Sequence, residues 1–268
     1  MLLTLFLAAC STPAPPAVEA PPEPAATEAA PEPAAPASPL DFSTSLGAVH
    51  FEPVHHGTLW FTVGEHTVWV DPWSEADLTG AGKADLVLIT DVHPDHLDAE
   101  ALAAVSDAET EVVAPPAVAE QLGEDKVTTA LRQGFSTGAF GMGIESVPMY
   151  NHHRGPAEGQ LYHPKGRGNG YLLSLGDVRV YIAGDTACTD EMRALNDIDL
   201  AFVPMNLPYT MTPEEAAECV RAFDPAVVVP YHYRGSDIEA FATLVRAEPS
   251  GRTEVVLRDL YGEQGGQP

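Results

Sequence analysis

The chain has 268 residues, with 13 Lys and Arg against 39 Asp and Glu, which gives a formal net charge of −26 with His neutral. A surface this acidic repels phosphate backbones, which argues against general nucleic-acid binding. The length suits one large domain or two small ones. No apolar run is long enough to cross a bilayer as a helix, and three cysteines cannot make a disulfide framework.

Residues 1–10, MLLTLFLAAC, form a short apolar run that ends in two small residues and Cys10. This pattern resembles the lipobox of bacterial lipoproteins, a family in which the peptide is cut before the cysteine and a lipid is attached to its thiol. No basic residue precedes the run, which leaves the true start codon open. The resemblance implies a lipoprotein signal peptide over 1–10 with lipidation at Cys10. The alternative is a buried N-terminal strand with an ordinary cysteine.

Ten of the 25 prolines fall within the first 39 residues, where Pro, Ala and Glu make up almost the whole sequence. Such a composition buries too little apolar surface to fold, so residues 11–40 are predicted to form a disordered, extended tether. The lipoprotein resemblance, with Ser11 after the cysteine, implies an envelope protein anchored in the outer membrane and facing the periplasm. We therefore expect membrane contact only through the N-terminal lipid.

Residues 41–268 are predicted to form the folded domain, because short apolar runs alternate there with turns. Residues 54–63 and 66–70 are predicted to form a hairpin across Gly64-Glu65, and residues 85–90 a strand buried on both faces. Further elements are predicted in this order: helix 98–105, strand 111–114, helix 116–122, hairpin strands 171–175 and 178–183, helix 190–195, strand 200–204, helix 213–223, strand 226–230, and closing elements 238–247 and 255–260. Helices between strands predict a layered α/β or α+β domain.

Potential metal ligands follow three of the predicted strands, at the point where each strand ends. Sites in layered α/β folds gather at the carboxyl ends of strands, where loops converge on a rigid sheet. Burying these side chains together without a cation would cost several kcal/mol each, and the mixture of His and carboxylate suits zinc and related metals. The alternative is a solvated turn rich in Asp and His. The six residues are Asp91, His93, Asp95, His96, Asp185 and His232.

The segments TDVHPDH, HPKGRGNGY, YIAGDT and VPYHYRG, in this order and spacing, resemble the metallo-β-lactamase fold superfamily over about residues 48–235. Within it, the opening HHGTLWFTVGEHTVWVDPW resembles the branch of L-ascorbate-6-phosphate lactonases and N-acyl-phosphatidylethanolamine phospholipase D. The superfamily implies a four-layer αββα sandwich with a dinuclear metal site at one edge. By position, the resemblance implies that Asp95, His96 and His232 bind one ion, that Asp185 bridges to a second, and that His93 binds the second.

Asp91 departs from the family motif His-x-His-x-Asp-His, because it stands where the first histidine is expected. A carboxylate can still bind a metal ion, but it is a harder and more negative ligand than imidazole. The resemblance therefore implies two divalent ions, with zinc expected. Mn²⁺, Fe²⁺ or a single tightly bound ion are the alternatives.

The last family ligand is a histidine in the loop before the GDT strand. His163, in the segment HPKG, is the predicted ligand, with His152 and His153 as the alternatives, and any of them could be an exposed loop histidine. Asp71 resembles the family's supporting aspartate behind the metal site. His56 is predicted either to line the pocket, together with its neighbour His55, or to be an ordinary hairpin histidine.

The implied chemistry is hydrolysis by a metal-activated water, with Asp95 as the catalytic proton acceptor. A serine or cysteine nucleophile motif is not evident in the sequence, and Cys188 and Cys219 are expected to be buried free thiols rather than a disulfide pair. The predicted substrate is small or lipid-derived, an ester, lactone or phosphodiester. A metal-binding lipoprotein without activity is the alternative, and a β-lactamase proper is a third, disfavoured one.

Four of the 13 basic residues lie in the loops that carry His163 and His232, which indicates an anionic group on the substrate. These bases could instead neutralise nearby acids or cover apolar surface. Asn206 and Tyr209 follow another predicted strand end and are expected in the pocket wall. The four bases are Arg154, Lys165, Arg167 and Arg234.

Overall fold

The computed structural model describes residues 38–247 and 251–262, so Cys10 and almost all of the predicted tether 11–40 lie outside the described residues. The first of two seven-stranded sheets comprises β1 (Asp41–Thr44), β2 (Gly47–His55), β3 (Thr58–Val63), β4 (His66–Val70), β5 (Leu86–Leu88), β6 (Glu111–Ala114) and β7 (Thr129–Ala130). The second comprises β8 (Ser136–Ala139), β9 (Met142–Met149), β10 (Gly168–Leu175), β11 (Val178–Ile182), β12 (Leu200–Pro204), β13 (Val227–Tyr231) and β14 (Glu254–Val255).

Over the described residues, five α-helices accompany these strands: α1 (Ala99–Val105), α2 (Pro116–Leu122), α3 (Asp190–Arg193), α4 (Pro213–Phe223) and α5 (Ile238–Arg246). Their ends follow local sequence chemistry. The Asp98 side chain accepts hydrogen bonds from the first turn of α1, and Thr212 and Glu215 form a capping box at the start of α4. Within the described residues, every helix is too short or too polar to cross a bilayer.

The two sheets share one topology. In each sheet the seven strands lie in chain order. The first four strands pair antiparallel, and the fourth to the seventh pair parallel, so the fourth strand takes part in both kinds of pairing. Helices connect most of the parallel strands, so the loops that leave β4, β5, β11, β12 and β13 emerge at carboxyl ends of parallel strands. This is the arrangement in which side chains from distant parts of the chain meet at one edge.

The main hydrophobic core lies between the sheets. Phe51 stacks on Phe61 at 4.6 Å between ring centroids, and Phe202 of the second sheet packs 5.7 Å from Phe51. A second cluster, around Trp69, lies under α1 and α2. Helices outside two facing sheets form the predicted layered sandwich, so the predicted fold class is confirmed.

Most predicted elements are present, and the helices 116–122 and 213–223 and the strands 111–114 and 200–204 have the predicted bounds. The single strand predicted over 54–63 is wrong, because a turn at His56-Gly57 divides it into β2 and β3. Strands β1, β7, β8 and β9 had no counterpart in the prediction, and Pro148 interrupts the alternation inside β9. The closing segment 255–260 pairs only at its start, in β14.

Cys188 and Cys219 form a disulfide, so the expectation of two free thiols is wrong. Their Cα atoms are 5.5 Å apart, within the span that a disulfide bridges without distortion of the backbone. The bond ties the loop after Asp185 to helix α4. Thirty-one residues separate the two cysteines, which is why sequence proximity gave no sign of the pairing.

Candidate metal centre

Four predicted ligands from three strand ends converge on one point. Nε2 of His232 lies 3.3 Å from Oδ2 of Asp95 and 3.3 Å from Oδ1 of Asp185. Nε2 of His96 lies 3.5 Å from Oδ2 of Asp185 and 3.9 Å from Oδ2 of Asp95. Ligands at zinc-binding distances in a tetrahedron are about 3.3–3.6 Å from each other. His96, Asp185 and His232 therefore have the spacing of a metal coordination shell, and Asp95 forms a second candidate group with His56 and His232.

His96 is oriented by the buried carboxylate of Asp71. Nδ1 of His96 lies 2.7 Å from Oδ2 of Asp71, and the backbone N–H and hydroxyl of Thr90 also donate to this carboxylate. Because a carboxylate only accepts, Nδ1 of His96 carries the proton and Nε2 presents its lone pair to the site. The structure thus places Asp71 behind His96, where the resemblance put a supporting aspartate.

His163 is oriented in the same way by an amide. Its Nδ1 lies 2.9 Å from Oδ1 of Asn151, which also accepts the backbone N–H of His163. Nε2 of His163 then points into the site, 3.2 Å from Oδ2 of Asp185. The alternatives lie elsewhere: His152 bonds the carbonyl of Cys188, and both His152 and His153 line a separate, smaller cavity.

Three buried ligand atoms at this point have no hydrogen-bond partner among the described residues: Nε2 of His96, Nε2 of His163 and Oδ1 of Asp185. Leaving such atoms unpaired in a protein interior costs free energy, about 1–3 kcal/mol each by mutational measures. With Nε2 of both imidazoles deprotonated, all three are acceptors. His96 and Asp185 form one candidate metal-binding group with His232, and His163 forms another with Asp91 and His93. The donor set of imidazole and carboxylate therefore fits a divalent metal ion.

The charges of the centre are strongly coupled. Burial lowers the pKa of His96, but the carboxylates of Asp185 and Asp71 outweigh it and hold the pKa well above its ordinary value. Burial raises the pKa of Asp185, but His232 and His96 reverse the effect and hold it well below its usual range. Without an ion, the proton on His96 helps to balance the carboxylates, and a bound metal ion would take the place of that proton.

Asp91 is buried but differs from the other predicted ligands in its partners. Arg167 donates to both of its oxygens, from Nε at 3.1 Å and from a terminal nitrogen at 2.9 Å. Nδ1 of His93 lies 2.9 Å from Oδ2 of Asp91, and Nε2 of His163 lies 3.9 Å from the same oxygen. Burial acts to raise the pKa of Asp91, but the neighbouring His93 and His163 lower it to about 2. Asp91 is thus an ionised carboxylate with its own cation.

The centre opens into a pocket of about 980 Å³. Predicted residues His56, Asn206, Tyr209 and Arg234 line it, and sequence analysis missed two aromatic members, Trp73 and Tyr162. The guanidinium of Arg234 lies 5.7 Å from the ring of Trp73. The wall is therefore largely aromatic and apolar, with one cation.

The other three bases are not among the residues that line this pocket, and each pairs with a carboxylate, which is the alternative that the sequence left open for them. Lys165 pairs with Glu191 at 2.5 Å, Arg154 pairs with Glu215 at 2.7 Å, and Arg167 pairs with Asp91. Each base is neutralised by a carboxylate from a distant stretch of chain. The sequence shows that these bases lie in the loops that carry the site histidines, but it does not show the carboxylates with which they pair.

His56 contacts the centre from the turn that divides β2 and β3. Its Nε2 lies 3.1 Å from Oδ2 of Asp95 and its ring lies 3.6 Å from that of His232. Burial, followed by the nearby His232, lowers the pKa of His56 to about 4. Its Nδ1 lies 2.6 Å from the hydroxyl of Tyr261, a residue that no sequence signal marked.

The backbone around the centre is held in unusual conformations. His56, Asp71 and His232 have φ values of 52°, 45° and 45°, in the left-handed region that non-glycine residues rarely adopt. Gly57 completes the turn because a Cβ there would lie 3.2 Å from the ring of His232. Such conformations cost about 1–3 kcal/mol each and cluster at functional sites.

Comparison with known proteins agrees with this geometry. Residues 51–232 match the Beta-lactamase superfamily domain. A UPF0173 metal-dependent hydrolase of Thermococcus onnurineus is 33% identical over 212 residues, which is 73% of this chain and 90% of the relative. Another, from Symbiobacterium thermophilum, is 30% identical over 220 residues, which is 76% of this chain and 94% of the relative.

Solved structures are also similar. A crystal structure described as a metal-dependent hydrolase from Parabacteroides distasonis is 41% identical, with a TM-score of 0.74 over 82% of this chain and 97% of that one. The metallo hydrolase Igni18 of Ignicoccus hospitalis shares the fold, with 24% identity and a TM-score of 0.62 over 77% of this chain and 94% of that one. The chain belongs to the UPF0173 metal-dependent hydrolase family, within the metallo-β-lactamase fold superfamily.

Proposed function

We propose that this member of the UPF0173 family hydrolyses an ester, lactone or phosphodiester at the metal centre built from Asp95, His96, Asp185 and His232. The observation that carries the proposal is the pair of buried, unpaired acceptor atoms, Nε2 of His96 and Oδ1 of Asp185, in the group that these two residues form with His232. An ion held by such a set supplies a nucleophilic water near neutral pH and polarises the oxygen of the bond under attack.

Asp95 is the proposed proton acceptor. Its Oδ2 faces His232 and His56, at 3.3 and 3.1 Å, and the residue also lines the pocket where substrate enters. The His56 imidazole orients the carboxylate and stabilises its ionised form, and the ionised carboxylate can take a proton from the attacking water. Among the described residues, no serine or cysteine is needed as a nucleophile in this scheme.

The pocket favours a substrate with an apolar or aromatic portion. Trp73, Leu207 and Tyr209 give it apolar surface, and Arg234 gives it a single cation, 3.7 Å from Glu75. One partly neutralised cation matches a neutral ester or lactone, or a phosphodiester with one negative charge, better than a dianionic phosphate monoester. The four bases in the sequence predicted an anionic substrate, whereas the single cation in the pocket favours a substrate with at most one negative charge.

We propose that this activity is located at the cell envelope. A lipid on Cys10 would anchor the protein in the outer membrane, and a tether over 11–40 would connect the anchor to the folded domain in the periplasm. The lipobox-like run and the Pro-rich segment support this location. The Cys188–Cys219 disulfide adds independent support, because disulfides persist in oxidising compartments such as the periplasm.

The test is hydrolysis by the purified full chain loaded with zinc, manganese or iron. The substrates are p-nitrophenyl esters, lactones and bis-p-nitrophenyl phosphate, with p-nitrophenyl phosphate as the dianionic comparison. We expect turnover of at least one of the first three classes, lost in His96→Ala and Asp185→Asn and retained in the matched surface variant Lys165→Ala. A metal-loaded protein that is inert on the whole panel would overturn the proposal.

An inert outcome would support a metal-binding lipoprotein without activity. The specific observation in favour of that alternative is the pairing of Asp91 with Arg167 where the family motif has a metal-binding histidine. The substrate panel separates the two functions, because both predict bound metal and only the first predicts turnover.

A further inference from the structure

Arg167 occupies the part of the centre where the fold family holds a second metal ion. Its guanidinium bonds both oxygens of Asp91 and lies 3.3 Å from Nε2 of His93. A further bond to the carbonyl of Tyr162, at 2.6 Å, fixes the guanidinium in place. We propose that the Arg167 guanidinium takes the place of the second ion, so that this chain binds a single divalent ion at Asp95, His96, Asp185 and His232.

The hydrogen bonds of His93 carry the first part of the argument. Arginine has only donors, so Nε2 of His93 accepts from Arg167. The Asp91 carboxylate has only acceptors, so Nδ1 of His93 carries the proton and donates to it at 2.9 Å. Both ring nitrogens are therefore used by protein partners, and neither offers a lone pair to a metal ion.

The carboxylate of Asp91 is saturated as well. Its two oxygens receive one hydrogen bond from Nε of Arg167, one from a terminal nitrogen of Arg167 and one from His93. The ligand atoms of Asp91, His93 and His163 lie close enough together to hold an ion. Of these three residues, only His163 has a ligand atom, Nε2, without a hydrogen-bond partner among the described residues, and Oδ2 of Asp185 lies 3.2 Å from it. Two such ligands are too few for a tightly held ion, since structural and catalytic zinc sites use three or four.

Charge leads to the same conclusion. Arg167 neutralises Asp91, whereas Asp95 and Asp185 have no Lys or Arg partner among the described residues and together balance one dication. A second dication would bring a net positive charge next to the Arg167–Asp91 pair, whose carboxylate is buried, and an interior of low dielectric constant penalises this. The protein supplies the second positive charge itself.

This inference rests on the proposed metal-dependent function, and its test is metal stoichiometry rather than turnover. The full chain is equilibrated with Zn²⁺, freed of excess metal and analysed for zinc per chain, with calorimetric titration of Zn²⁺ as the second measurement. We expect about one equivalent for the wild type. Arg167→Ala should raise this toward two, because Asp91, His93 and His163 are then free to bind.

Lys165→Ala is the matched control, because it removes the same charge from the same loop but leaves the Asp91 pair intact, and it should keep about one equivalent. Two tight equivalents in the wild type would overturn the inference and leave the proposed function standing. One equivalent in both the wild type and folded Arg167→Ala would overturn the role of Arg167. No bound zinc at all would overturn the proposed function and the inference together.

Discussion

The hydroxyl of Tyr261 lies 2.6 Å from Nδ1 of His56, although 205 residues separate them. The same hydroxyl accepts the backbone N–H groups of Tyr233 at 3.1 Å and Arg234 at 2.9 Å. With both lone pairs used, the phenolic proton is donated to His56. His56 then carries its own proton on Nε2 and donates it to Asp95, so a C-terminal tyrosine fixes the orientation of the proposed proton acceptor.

Tyr261→Phe should lower kcat by about 10–100-fold, because loss of the hydroxyl releases the His56 tautomer that holds Asp95. The acidic limb of the pH–rate profile should also move, which a purely structural defect would not cause. Tyr181→Phe is the control, since that buried hydroxyl has no hydrogen-bond partner. Steady-state kinetics across pH makes the comparison, and wild-type rates in Tyr261→Phe would contradict the role.

Asp71→Asn should weaken metal binding by about 10–100-fold without unfolding the protein. An amide at this position can turn its NH₂ toward Nδ1 of His96, which would force the proton onto Nε2 and remove the lone pair from the site. Competition of a chromophoric chelator for Zn²⁺ measures the affinity. Asp77→Asn, on an exposed carboxylate, should match the wild type; equal affinity in Asp71→Asn would show that the carboxylate does not orient His96.

In the Arg167→Ala background, His163→Ala should reduce zinc affinity about tenfold, because His163 lies at the second position, 3.9 Å from Asp91 and 3.2 Å from Asp185. His152→Ala and His153→Ala should change it little, because both residues lie at a separate cavity. The same chelator competition distinguishes the three variants. Loss of affinity in the His152 or His153 variant, with His163→Ala unaffected, would reverse the assignment.

Metal affinity should rise as the pH rises above the ordinary imidazole pKa of about 6.5. In the ion-free protein, the carboxylates of Asp185 and Asp71 overcome the effect of burial and raise the pKa of His96, so its proton must leave before Nε2 can bind. Each proton released on binding increases metal affinity by up to about tenfold for every unit that the pH rises. Calorimetry in buffers of different ionisation enthalpy counts these protons, and pH-independent binding without release would contradict the expectation.

The metal ligands could be predicted from the sequence because each follows an apolar run of strand length, which is a local pattern. Asp185 and His232 each follow a continuous apolar strand, and Asp91 to His96 follow another, so the parallel sheet edge brings them together. The capped helices were predictable for the same reason, because Thr212, Pro213 and Glu215 act within a single turn.

Long-range pairings were not accessible, because no local pattern encodes them. Asp91 and Arg167 are 76 residues apart, and His56 and Tyr261 are 205 apart. The turn at His56-Gly57 was hidden because apolar alternation continues on both sides, and its conformation is set by the close approach of His232. The carboxylate partners of Lys165 and Arg154 also come from distant helices. Of the four bases in the site loops, only Arg234 therefore lines the pocket.

Anomalous diffraction from crystals of the zinc-loaded protein, recorded on both sides of the zinc edge, locates bound metal directly. We expect an anomalous peak among Nε2 of His96, Nε2 of His232, Asp95 and Asp185, at distances of about 2.0–2.2 Å from the ligand atoms. An ordered centre without a peak between these side chains, or zinc bound only at other residues, would contradict the central claim.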